Sequence, residues 1–61
     1  MTYEQAVKYV LENTTIGSEL ELIYRAKEVL LSNNFPTTVP YVQLAVISLA
    51  KHYIETSTCL N

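Results

Sequence analysis

The chain has 61 residues, of which 49% are apolar and only 16% charged, with six glutamates and four Lys or Arg giving a net charge of −2. So little charge on so apolar a chain argues against disorder, and no basic run is present to grip nucleic acid. Cys59 is the only cysteine, which excludes an intrachain disulfide and a multi-cysteine zinc framework.

The first expected element is an amphipathic helix over residues 3–13. Thr2 is placed to cap it, Gln5 occupies the N3 position of a capping box, and Glu4 puts a negative charge in the first turn. Tyr3, Ala6, Val7, Val10 and Leu11 share one side and Glu4, Lys8 and Glu12 the other, with Tyr9 at the edge of the apolar arc. Asn13-Thr14-Thr15-Ile16-Gly17 then forms a connection in which the only glycine, Gly17, is expected to take positive φ and Ile16 to fold back on the helices.

Ser18-Glu19-Leu20-Glu21 has the form of a capping box opening a second helix, expected over residues 19–33. Its apolar residues, among them Leu20, Leu22, Ile23, Tyr24, Val29, Leu30 and Leu31, span about 220° of the helix, interrupted by Lys27. A helix packed on one side needs an apolar stripe of only about 100°. Asn33 or Asn34 can take a left-handed C-cap, Pro36 forbids continuation, and Phe35 is expected to plug the end of the core.

The third helix, expected over residues 39–55, carries the densest apolar run, VPYVQLAVISLAKHYI. Thr38 or Thr37 caps it, and Pro40 sits in the first turn where its missing N–H costs nothing. Val42, Ala45, Val46, Leu49, Ala50 and Tyr53 lie in an apolar arc of roughly 200°. Such a helix wants neighbours on two sides. The remaining residues, 56–61, read as a polar, flexible tail unless Leu60 docks.

These elements predict an all-α fold, a small three-helix bundle in a single domain, associating as a homodimer. A chain this short buries only about 60% of the surface its unfolded form exposes. With no covalent staple, self-association is one route to stability. The arcs of the two long helices exceed one packing face, and Leu22, Val29, Leu44 and Ile47 are the candidate surplus, with Tyr9 and Tyr41 as rim residues suited to contact.

Chemical readings are thin. His52 is the only histidine, there is no Asp, and Cys59 lies seven residues away, so no nucleophile, base and orienting acid are grouped. Glu55, His52 and Cys59 have no metal-ligand spacing. Neither a catalytic residue, a metal nor a cofactor is expected. The expected function is a non-enzymatic protein-binding module, an adaptor, inhibitor or regulatory subunit, whose partner is another protein, a second copy of itself, or both. A purely structural self-associating subunit is one alternative. A helix-turn-helix DNA-binding regulator is another, presenting Thr37, Thr38, Tyr41, Gln43 and Leu44 to bases. Its phosphate contacts would be Lys8, Arg25, Lys27 and Lys51, scattered over three helices among six glutamates. The start of the chain has no secretory pattern and no stretch approaches the roughly 20 apolar residues of a membrane span, so a cytoplasmic protein without membrane contact is expected.

Overall fold

The computed structural model describes residues 1–59, with side chains through residue 56. It contains three helices, α1 (Tyr3–Asn13), α2 (Glu19–Ser32) and α3 (Val39–Cys59), in a bundle 35 × 21 × 20 Å. The α1 start follows from its capping box. The Thr2 hydroxyl accepts from Gln5 N–H at 3.1 Å, and the Gln5 side chain accepts from Thr2 N–H at 2.9 Å. Two of the N–H groups that a helix start leaves without partners are thereby satisfied.

At α2 the reciprocal arrangement is displaced by one residue. Ser18 accepts from Glu21 N–H at 3.2 Å as expected, but the Glu21 carboxylate reaches past the cap to Gly17 N–H at 2.9 Å. Gly17 does not have positive φ, contrary to the sequence expectation. The turn is made by Thr14, whose hydroxyl donates to Val10 C=O and accepts from Ile16 N–H. Threonine hydroxyls build local turns in this way without a left-handed residue. Ile16 does fold inward and joins the core.

The left-handed position falls instead on Asn34, at φ 61°. Phe35 N–H donates to Leu30 C=O at 2.9 Å and Asn34 N–H to Leu31 C=O at 3.1 Å. This pair of bonds is a Schellman motif, which ends α2 and turns the chain toward α3. Val42 N–H then donates to Thr38 C=O at 2.9 Å, setting the start of α3 at Thr38 with Pro40 in the first turn. The helix continues to Cys59, four residues past the expected 55. No Gly or Pro interrupts Thr56-Ser57-Thr58, and Ser and Thr each cost a helix only a few tenths of a kcal/mol, up to about 0.7, relative to Ala. The expected docking of Leu60 lies outside the described residues.

α3 is the middle helix. It packs along both α1 and α2, which touch one another only briefly. The wide apolar arc of α3 is therefore mostly used within the fold, with Val42, Ala45, Val46 and Ala50 buried between the two neighbours. The rest of the core is Ala6 and Val10 from α1, Ile16, and Leu22, Ala26 and Leu30 from α2. All of these are apolar, and among the described residues no buried side-chain N or O lacks a hydrogen bond. α2 has only α3 to pack on for most of its length. Leu20, Tyr24 and Leu31, counted in its apolar arc, consequently stand in solvent, 80%, 66% and 65% exposed.

Candidate protein-interaction site

The Schellman turn that ends α2 also shapes the most apolar depression on the surface. It places Phe35 beside the first turn of α3, where its ring stacks on Tyr41 with centroids 6.2 Å apart and planes inclined by 30°. Phe35 is half exposed, so it does not plug the core as the sequence suggested. It closes one end of a groove of about 390 Å³ between α2 and α3. Val29 and Leu30 form the α2 wall, Tyr41, Leu44 and Ser48 the α3 wall, and Asn33 lies at the turn. Leu44 rises at the rim, 62% exposed. Tyr41 is the only titratable side chain in this lining, and no α1 residue contributes.

The groove adjoins a smaller, more polar depression of about 300 Å³ that shares Val29, Asn33 and Leu49 and adds Arg25, Glu28 and Tyr53. From Tyr41 to Tyr53 the combined channel follows α3 for ~18 Å, at 1.5 Å per residue.

Of the six residues singled out from the sequence, the structure brings Val29, Tyr41 and Leu44 together in this groove. Leu22 is corrected. It is fully buried, a member of the core cluster shared by the three helices rather than part of the surplus surface. Tyr9 and Ile47 are partly buried against the core and do not reach the groove. Sequence reasoning missed Phe35 as a groove residue. The available signal was its place directly after a left-handed Asn, where an apolar side chain commonly packs back toward the last helical turn.

On the opposite side, a cleft lined by Tyr3, Lys8, Glu12, Glu19 and Gln43 is rich in carboxylates. The Tyr3 hydroxyl donates to Glu19 Oε2 at 2.7 Å, tying the first turn of α1 to that of α2. Burial, then the hydrogen bond to Glu19 and its negative charge, push the Tyr3 hydroxyl from 10.0 up to about 12. Gln43, one of the residues a DNA-binding reading would present to bases, opens onto this acidic cleft with Glu4, Glu12 and Glu19 around it. A carboxylate-lined approach repels phosphate.

His52 is exposed, and its ring lies tilted beside that of Tyr53, with centroids 6.1 Å apart. Among the described residues no three His, Cys, Asp or Glu side chains are grouped to hold a metal ion, and no helix is long and apolar enough to cross a membrane. Comparison with family models, curated proteins and solved structures finds no match to this chain.

Proposed function

We propose that this chain is a non-enzymatic protein-binding module, of the adaptor, inhibitor or regulatory-subunit kind, whose α2–α3 groove receives the apolar face of a helix from another polypeptide. The observation that carries this reading is the groove itself: about 390 Å³, apolar on both walls, free of charged side chains, and open along its length between two helices. A depression between two helices is the place a further helix takes in a four-helix bundle. Helix-in-groove recognition uses anchors at i, i+3 or i+4 and i+7, which such a channel can receive in sequence. The groove walls offer Ser and Asn but no carboxylate, thiol or imidazole, so they suit contact better than chemistry.

The test is selection of amphipathic helical peptides from a displayed library against the whole chain, followed by titration into the wild type and Leu44→Glu. Selected peptides should carry apolar residues at helical spacing, and should bind the wild type at least tenfold more tightly than the variant, with the variant's helicity unchanged. Peptides that bind both equally, or no selection at all, would overturn the reading.

A further inference from the structure

We draw no further inference here: the strongest candidate, the exposed stripe of Leu20, Tyr24 and Leu31 along the outer side of α2, is an unpartnered apolar face, and nothing in the structure shows what covers it.

Discussion

Asn34 holds the left-handed turn after α2 at φ 61°, and it does so at a cost that glycine would not incur. A left-handed conformation costs a non-glycine residue roughly 1–2 kcal/mol, of which Asn recovers part through its short polar side chain. Asn34→Gly should leave stability unchanged or raise it by up to about 1 kcal/mol, and Asn34→Val should lower it by about 1 kcal/mol or more, read from urea unfolding midpoints. Gly17 is the converse case. Its φ is not positive, and a Cβ added there meets nothing within 4 Å. Gly17→Ala should therefore stabilise by about 0.4–1 kcal/mol, by narrowing the unfolded ensemble. Tyr3 gives a pH dependence. Its hydroxyl is raised from 10.0 to about 12 in the folded chain, so the folded state favours the neutral phenol. The contribution is complete below pH 10 and is lost as pH rises from 10 through 12. Tyr3→Phe should destabilise at about pH 9, and the gap between wild type and variant should close by about pH 12. A gap that stays constant would show that the Glu19 bond carries no such linkage.

At the scale of the helices, the core is built on close approach. Four of its ten members, Ala6, Ala26, Ala45 and Ala50, are alanines distributed over all three helices. Small residues let α3 sit tightly against both neighbours, and interiors packed this way resist added volume. Ala50→Leu should cost about 1–3 kcal/mol through displaced side chains, detectable as a lowered thermal midpoint. The three helices and their starts were legible in the sequence, because capping residues and 3.6-residue periodicity are local signals. Which part of a wide arc is buried was not local. The α3 arc is covered on two sides and the α2 arc on one, so Leu22 went to the core and Leu20, Tyr24 and Leu31 to solvent. Periodicity reports the width of an apolar face but not the number of neighbours available to it. For the same reason Val29, Tyr41 and Leu44 were identifiable as surplus surface, whereas Phe35 depended on where the Schellman turn set it down.

For the molecule as a whole, 61 residues at 0.05–0.15 kcal/mol each imply a stability of roughly 3–9 kcal/mol. Leu22 is among the largest fully buried side chains. Leu22→Ala should remove about 2–5 kcal/mol, most of that margin, and show as a broad, low-temperature loss of helical signal. Leu44→Ala, at an exposed rim, should stay within about 0.5 kcal/mol of the wild type. The accessible surface of 4451 Å² exceeds by about a tenth the ~4,000 Å² expected for a compact monomer of this mass. The placing of α3 between helices that hardly meet has a further consequence, in the order of synthesis. α1 and α2 leave the ribosome first, yet neither finds its main packing partner until α3 follows. At roughly 5–20 residues per second, the 27 residues from Asn33 to Cys59 take on the order of seconds. Through that interval the nascent chain holds two amphipathic segments with their apolar faces open, and the last helix to arrive is the one that closes them.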